Sequence, residues 1–201
     1  MTAPEHSDHD LSALGRAIGR GDEGAYRALF DLLYPPLLRF AGSLVRDQAV
    51  AEDLVQEAFV RLWDRREQID VETSVRAYLY RIVRNLAFNH RRDDRTRQRL
   101  LGDAAVADTA AVPRAASLPD DSAAAGDLAQ RLSGWVDDLP PRQREALLLS
   151  RMQGLSHAEV AAAMGCAPRT VNNHLVAALS TLKRRLLDLG TLVASLVGLV
   201  S

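Results

Sequence analysis

The sequence has a single cysteine, few aromatic residues and no long apolar run. Because Cys166 stands alone, the chain can form neither an internal disulfide nor a metal cluster built on several thiolates. The longest uncharged and largely apolar stretch, residues 189–200, is shorter than the roughly 18 to 20 residues that a membrane-spanning helix needs. We therefore expect no disulfide framework and no membrane insertion.

Signals for secretion and for catalysis are also lacking. Residues 1–10 are acidic and polar, whereas a secretory signal peptide begins with basic and then apolar residues. The sequence contains no glycine-rich phosphate loop, no nucleophile elbow and no paired histidines at metal-ligand spacing on a helix. We expect a cytoplasmic protein that is not an enzyme and that binds no metal or cofactor.

What the sequence does contain is a strong segregation of charge. Its 201 residues are 47% hydrophobic and 25% charged, which is typical of a soluble globular protein. The formal net charge of −1 conceals an acidic segment at residues 47–72 and an arginine-rich segment at residues 76–99. A second basic excess occurs over residues 139–185. Surfaces of opposite sign are therefore expected on different parts of the chain.

An alanine-rich linker separates the two basic segments. Residues 100–127 contain Pro113, Pro119 and several aspartates but few aromatic or β-branched residues, so they cannot bury enough apolar surface to offset their ordering entropy. Strand patterns are absent, and helical periodicity occurs on both sides. The predicted fold is all-α, with two small helical domains joined by a flexible linker. The segments are a tail and the start of the first helix at 1–20, a first domain at 21–99, the linker at 100–127, a second domain at 128–187 and an apolar C-terminal tail at 188–201.

A first candidate surface lies on a helix predicted for residues 51–66. Its buried side is formed by Leu54, Val55, Ala58, Phe59 and Leu62, which share one broad arc at helical spacing. The opposite side carries an acidic stripe with one apolar residue, made up of Asp53, Gln56, Glu57, Val60 and Asp64. The stripe is either a solvated helix face or a docking surface for a basic partner helix.

A second candidate surface lies on the next helix, which is predicted to be capped by Thr73 or Ser74 and to run to about Arg92. Its inward side is Val75, Leu79, Ile82, Val83 and Leu86. Its outward side, the α4 face, interleaves arginines with aromatic and amide side chains: Tyr78, Arg81, Arg84, Asn85, Phe88, Asn89 and Arg92. Cations follow phosphates, rings stack on bases and amides read base edges, which indicates a platform for single-stranded nucleic acid. The alternative is that the rings pack against another helix and the arginines are surface charges.

The third pattern is a helix-turn-helix. Ser156 and Glu159 form a capping box, Gly165 ends the helix, and Pro168 begins a second helix that is expected to run to about Leu187. Its predicted buried stripe is Val171, Leu175, Ala178, Leu179 and Leu182. Its outer face, the recognition face, carries Arg169, Thr170, Asn172, Asn173 and His174 for base edges and Lys183 and Arg184, followed by Arg185, for phosphates. The alternative is an αα-hairpin inside a bundle.

These patterns resemble a family. DLVQEAF at residues 53–59 and AYLYRIVRNLA at residues 77–87 are similar to the second conserved region of bacterial extracytoplasmic-function (ECF) sigma factors. LPPRQREA at residues 139–146, followed by GLS at 154–156 through Thr170 and Val171, looks like the fourth region. The resemblance covers roughly residues 21–99 and 128–187, in the family's order. Four residues depart from the family's usual ones: Tyr78, Asn89, Asn172 and His174.

The resemblance implies a non-catalytic subunit that binds core RNA polymerase and promoter DNA, with an anti-sigma factor as a further partner. It implies that Asp53, Gln56 and Glu57 meet the clamp helices of the largest polymerase subunit. The face with Asn85 would melt and read the −10 element, and the helix-turn-helix would read the −35 element. The outer face of the second helix is less cationic than is usual in the family.

Two other classes of protein compete with this interpretation. A helix-turn-helix regulator with an N-terminal sensor or dimerisation domain explains residues 139–185 equally well, but not an acidic stripe and an arginine-aromatic face in the other domain. A membrane-surface protein anchored by residues 186–200 has the apolar tail in its favour, but that tail lacks the basic polar face of an interfacial helix.

Overall fold

A computed structural model of the chain describes residues 8–45, 47–68, 74–100 and 123–200, with side chains described for residues 10–45, 47–68, 74–97 and 130–189. Within these ranges the chain is helical and forms no strand, so the predicted all-α class is confirmed. The helices are α1 (Asp8–Gly19), α2 (Glu23–Leu44), α3 (Gln48–Asp64), α4 (Val75–Leu100), α5 (Ala123–Asp137), α6 (Pro141–Leu147), α7 (His157–Met164) and α8 (Pro168–Val200).

The N-terminal domain consists of α1 to α4. The Asp47 carboxylate accepts bonds from the Ala49 and Val50 amides at 2.8 and 3.4 Å, which satisfies free donors in the first turn of α3. The five apolar residues predicted to face inward from α3 are all buried, and they pack with α2 and α4. This packing directs the opposite side of α3 to solvent.

The C-terminal domain contains the predicted helix-turn-helix as α7 and α8. Ser156 and Glu159 form both bonds of the capping box at the start of α7. Gly165 ends α7 with φ of 65°, a left-handed conformation that glycine adopts without steric cost. The helix that follows begins at Pro168, as predicted. A turn of π-helix at Leu148–Met152 joins α6 to the loop before α7.

Two expectations about α8 are wrong. The helix does not end near Leu187 but continues to Val200, so the segment predicted as a separate tail is part of α8 up to that residue. Leu179, which was predicted to be buried, is 41% exposed. Of the other residues predicted for the stripe, Val171, Leu175 and Ala178 are buried, and Leu182 is partly buried and packs against the same core. Leu179 follows Ala178 directly and is therefore rotated by about 100° away from the stripe.

The predicted linker at residues 100–127 falls mostly on residues 101–122, which lie outside the described part of the chain, as do residues 1–7 of the predicted tail. Helix α5 begins within the predicted linker. Where the structure is described, no helix is long and apolar enough to cross a membrane.

The N-terminal and C-terminal domains lie against each other. Helix α4 of the first domain packs on α7 of the second. One part of the α4 surface therefore packs in its own domain, a second part packs on α7, and a third part faces solvent.

Candidate functional site

The acidic stripe lies on the solvent side of α3. All five of its residues are exposed, and Val60 retains 51% exposure, which is high for a branched apolar side chain. Glu57 accepts a bond from the Nε atom of Arg61 at 2.8 Å, but both side chains are about half exposed. An exposed ion pair of this kind contributes at most about 1 kcal/mol, so the Glu57 carboxylate can exchange this partner for another.

An aromatic cleft adjoins the acidic stripe. Val60 and Asp64 line a cavity of about 480 Å³ between α2 and α3, together with Glu23, Tyr26, Arg27, Phe30 and Trp63. The Tyr26 and Trp63 rings meet edge to face, with their centroids 5.1 Å apart. Burial, together with the negative charge of Asp64, raises the pKa of Tyr26, because both disfavour the phenolate. No sequence pattern marked this cleft, although Tyr26 and Phe30 are one turn apart on α2.

The α4 face is largely open to solvent. Arg81, Asn85, Phe88, Asn89 and Arg92 are exposed. Tyr78 is half-buried and packs against the apolar core, so the alternative that its ring serves packing holds for part of its surface. An exposed aromatic ring among arginines and amides remains, which is the arrangement that base stacking requires.

Arg84 differs from the other residues of the α4 face. Its Nε atom donates to the Glu145 carboxylate of α6, and the two side chains are only 11% and 3% exposed. The Arg84 guanidinium carbon lies 4.7 Å from the centre of the Phe88 ring, and its Nη1 atom donates to Asn85 Oδ1 at 3.2 Å. Arg84 therefore links the α4 face to the C-terminal domain.

Two more residues of α4 bond to the C-terminal domain along the same ridge. Arg76, Tyr80 and Arg84 are spaced four residues apart, so they project from one side of the helix. The Tyr80 hydroxyl donates to Gln153 Oε1 at 3.0 Å, and Arg76 Nη2 donates to the Gln153 carbonyl oxygen. Burial strongly raises the pKa of Tyr80, because the phenolate would lose its hydration.

A fourth bond joins the starts of two helices. Ser74 caps α4 by accepting from the Ala77 amide at 3.3 Å, and its hydroxyl donates to Glu159 Oε1 at 2.6 Å. The second oxygen of Glu159 accepts the Ser156 amide at 2.9 Å within the capping box of α7. One carboxylate thus serves the N-termini of both α4 and α7.

The recognition face of α8 is also accessible. Six of its seven predicted DNA-binding residues are exposed, and His174 is half-buried; the six are Arg169, Thr170, Asn172, Asn173, Lys183 and Arg184. Arg185, which was expected to meet phosphates beside Lys183 and Arg184, instead donates to Asp138 Oδ2 at 2.9 Å and to the Trp135 carbonyl at 3.4 Å. It therefore holds α8 against the end of α5.

Comparison with known proteins identifies two family domains in series. Sigma-70 region 2 matches residues 29–97, and Sigma-70 region 4 matches residues 131–182. The ECF RNA polymerase sigma factor SigC of Mycobacterium tuberculosis (strain CDC 1551 / Oshkosh) is 32% identical over 181 residues, which are 89% of this chain and 92% of SigC. The ECF RNA polymerase sigma factor SigK of Mycobacterium ulcerans (strain Agy99) is 30% identical over 192 residues, 94% of each chain.

Solved structures show the same two-domain fold. The sigma factor RpoE from Bartonella quintana, in complex with the anti-sigma factor NepR, matches with a TM-score of 0.62 and 27% identity over 80% of this chain and 96% of RpoE. CnrH, in complex with the cytosolic domain of CnrY, matches with a TM-score of 0.63 and 23% identity over 89% of this chain and 97% of CnrH. The likeness extends over both domains.

Proposed function

We propose that three surfaces of this chain, which belongs to the extracytoplasmic-function (ECF) family of RNA polymerase sigma factors, each bind a different partner during transcription initiation. The protein is a sigma factor that binds core RNA polymerase and directs it to promoters. The observation that supports three separate roles is that one chain exposes an acidic stripe, an arginine-aromatic face and a helix-turn-helix outer face. These surfaces differ in chemistry, so they suit three different partners.

The acidic stripe is the polymerase-binding surface. Asp53, Glu57 and Asp64 supply negative charge for a basic helix, and exposed Val60 supplies apolar contact at the centre. The aromatic cleft beside Val60 and Asp64 offers a ring-lined pocket for one side chain of the same partner helix. Buried aromatic pockets at the centre of an interface usually carry a large share of the binding energy.

The α4 face is the −10 surface. Arg81 and Arg92 follow the phosphates of the separated strand, Phe88 stacks on a base, and Asn85 and Asn89 hydrogen-bond to base edges. A base edge becomes fully available only when the strands separate, so these residues favour the melted state over the duplex.

The recognition face of α8 is the −35 surface. Arg169, Thr170 and Asn173 lie in the first turns of α8, where a recognition helix meets base edges in the major groove. Lys183 and Arg184 lie toward the middle of α8 and meet phosphates, which set the register without reading sequence.

The remaining assignments follow from this role. The protein is a specificity subunit and not an enzyme, and it works in the cytoplasm with the polymerase. An anti-sigma factor is a further partner of this chain, since the structurally similar RpoE was solved in complex with one. The alternative of a regulator with a sensor domain is not favoured, because the first domain matches Sigma-70 region 2.

Run-off transcription with purified core polymerase tests the proposal. Fragments of the source genome serve as templates, with and without this protein. We expect discrete transcripts from a small set of fragments only when the protein is present. Equal transcription with and without it, at concentrations that saturate the core enzyme, would contradict the proposal.

A further inference from the structure

The aromatic cleft between α2 and α3 combines rings with carboxylates. Three of its seven lining residues are aromatic and two are acidic: Tyr26, Phe30, Trp63, Glu23 and Asp64. We propose that the cleft is a binding site for an alkylguanidinium ion, supplied by an arginine side chain of the basic partner helix that docks on the acidic stripe. The proposal rests on the proposed polymerase-binding role of the stripe, and it adds the chemistry of the side chain that the cleft accepts.

The rings of the cleft provide a surface that attracts a cation. An aromatic ring carries partial negative charge on its faces, and the indole of tryptophan attracts cations most strongly. Trp63 already accepts one guanidinium, since the guanidinium carbon of Arg66 lies 4.7 Å from the centre of its ring. Arg66 also donates from its Nη1 atom to the Trp63 carbonyl oxygen at 2.9 Å, and it is not one of the residues that line the cleft. The chain itself thus shows that this ring suits a guanidinium ion.

The carboxylates favour a cation over a neutral side chain. Glu23 and Asp64 outnumber the one lining cation, Arg27, so the lining has a formal net charge of −1. The charge of Asp64 acts on the rings, because burial and then this charge raise the pKa of Tyr26. A guanidinium can bond to a carboxylate with its edge and stack on a ring with its plane, whereas an ammonium is a point charge. A neutral side chain would gain from the rings alone.

A buried ring holds the cleft in shape. Phe59 is 1% exposed, and its ring centroid lies 4.7 Å from that of Phe30 and 6.1 Å from that of Tyr26. The Trp63 ring meets the Tyr26 ring in turn. The three lining rings therefore belong to one packed cluster that continues into the core. A ligand that enters a preformed cleft loses less binding free energy to ordering of the protein.

One partner helix can occupy the cleft and the acidic stripe together. Val60 and Asp64 belong to both surfaces, and the cavity of about 480 Å³ is within the range of roughly 300 to 1,000 Å³ that is usual for ligand pockets. On a helix, residues three or four positions apart project from the same side. An arginine can therefore enter the cleft while neighbouring basic residues pair with Asp53 and Glu57. Its alkyl stem would pack against Val60, with the charged end near Asp64.

Single-residue probes test the chemistry of the cleft without polymerase. The probes are N-acetyl-L-arginine amide and N-acetyl-L-leucine amide, which differ only in the side chain. The full-length chain has two tryptophans, so a Trp135→Phe parent protein leaves Trp63 as the source of the only indole N–H signal in NMR spectra. We expect the arginine probe to shift this signal saturably, with a dissociation constant at least about fivefold smaller than that of the leucine probe.

Two exposed residues of the cleft allow opposite changes of charge. Asp64→Asn removes an attractive charge, and Arg27→Gln removes a repulsive one. We expect the arginine probe to bind about two- to fivefold more weakly to Asp64→Asn and more tightly to Arg27→Gln by a similar factor, as one exposed charge allows. Binding of the leucine probe should not change. Arg39→Gln is the matched control, because Arg39 is an exposed arginine of α2 that does not line the cleft.

Binding to core polymerase tests the source of the guanidinium. In a titration of labelled core polymerase, Asp64→Asn should raise the dissociation constant and Arg27→Gln should lower it, by factors similar to those for the arginine probe. Arg39→Gln should bind core polymerase as the parent protein does. Circular dichroism reports whether each variant retains its helices.

Three results would overturn the proposal. The first is that the arginine probe binds no more tightly than the leucine probe. The second is that folded Asp64→Asn and Arg27→Gln proteins bind the arginine probe as the parent does, which removes the role of charge. The third is that both variants bind core polymerase as the parent does, which removes the partner's arginine as the occupant. If the parent protein does not bind core polymerase at all, the proposed function fails, and the probe titration still decides whether the cleft binds a guanidinium.

Discussion

At the scale of single residues, the acidic stripe is the surface most open to a direct test. If a basic partner helix docks on the stripe as proposed, replacing Asp53 and Glu57 with lysine sets like charges against it, which should cost several kcal/mol, or roughly a hundredfold or more in affinity. Both residues are exposed, and Glu57 loses only a surface ion pair with Arg61, so the fold should remain intact. Titration of labelled core polymerase measures the effect.

The matched control changes the net charge equally at other positions. Asp31 and Glu67 are exposed acidic residues outside the acidic stripe, and their double replacement with lysine should leave the affinity for core polymerase nearly unchanged. A helical Asp53 and Glu57 double variant that binds core polymerase as tightly as the wild type does would refute the docking role.

Asn85 is expected to act after the strands separate. Asn85→Ala should reduce promoter opening more than it reduces formation of the closed promoter complex, because the amide reads a base that is exposed only in melted DNA. Permanganate footprinting of the −10 element reports opening, and a gel-shift assay reports binding. Arg92→Ala is the comparison variant. Loss of a phosphate contact should lower the affinity for all sequences alike, and it should reduce the slope of log affinity against log salt concentration by about 0.7 to 0.9. Normal permanganate reactivity with Asn85→Ala would show that this residue does not read a base.

At the scale of secondary-structure elements, the first turns of α8 should carry the −35 specificity. Arginine bonds bidentately to guanine and asparagine to adenine, and each good pair discriminates by about 1 to 3 kcal/mol. Replacing Arg169 or Asn173 with alanine should therefore relax preference at one or two positions of the −35 element. Binding to a panel of single-base variants measures this, with Arg184→Ala as the phosphate-contact comparison. An equal loss of affinity for every DNA in the panel would show that Arg169 and Asn173 contact phosphates and do not read bases.

The end of α8 provides a second test at this scale. Residues 189–200 carry no charge, and an isolated segment of this length would be a marginal helix in water. As the end of a long helix it needs no new nucleus, and burial of its leucines and valines would stabilise it. Truncation after Asp188 should lower the melting temperature of the full chain. If calorimetry shows an unchanged transition, the segment does not stabilise the fold through packing on this chain.

Elements that rest on local signals could be predicted from the sequence. The buried side of α3, the capping box at Ser156 and the stop at Gly165 all depend on residues a few positions apart, and the structure contains each of them. The C-terminal residue of α8 could not be predicted, because Gly190 and the loss of charge after Asp188 both favoured a shorter helix. The exposure of Leu179 depends on which helices surround α8, and periodicity alone does not determine that.

At the scale of the whole molecule, the position of each surface along the chain could be predicted, but the contacts between the two domains could not. Arg84 and Glu145 are 61 residues apart, and Ser74 and Glu159 are 85 residues apart. No local spacing identifies which carboxylate an arginine will meet across two domains. Charge segregation predicted where the basic and acidic surfaces lie, whereas the part of α4 that meets the C-terminal domain, with buried Tyr80, became visible only when the domains were seen together.

Transcription from templates in which the two promoter elements are altered separately tests the central claim most directly. One chain, added to core polymerase, should read a −10 element with α4 and a −35 element with α8. We expect a specific transcript from a promoter that carries both elements. Replacing either element, or inserting about five base pairs between them, should abolish it, because half a helical turn moves one element to the opposite side of the duplex. Transcription that persists unchanged after both elements are replaced would contradict the account.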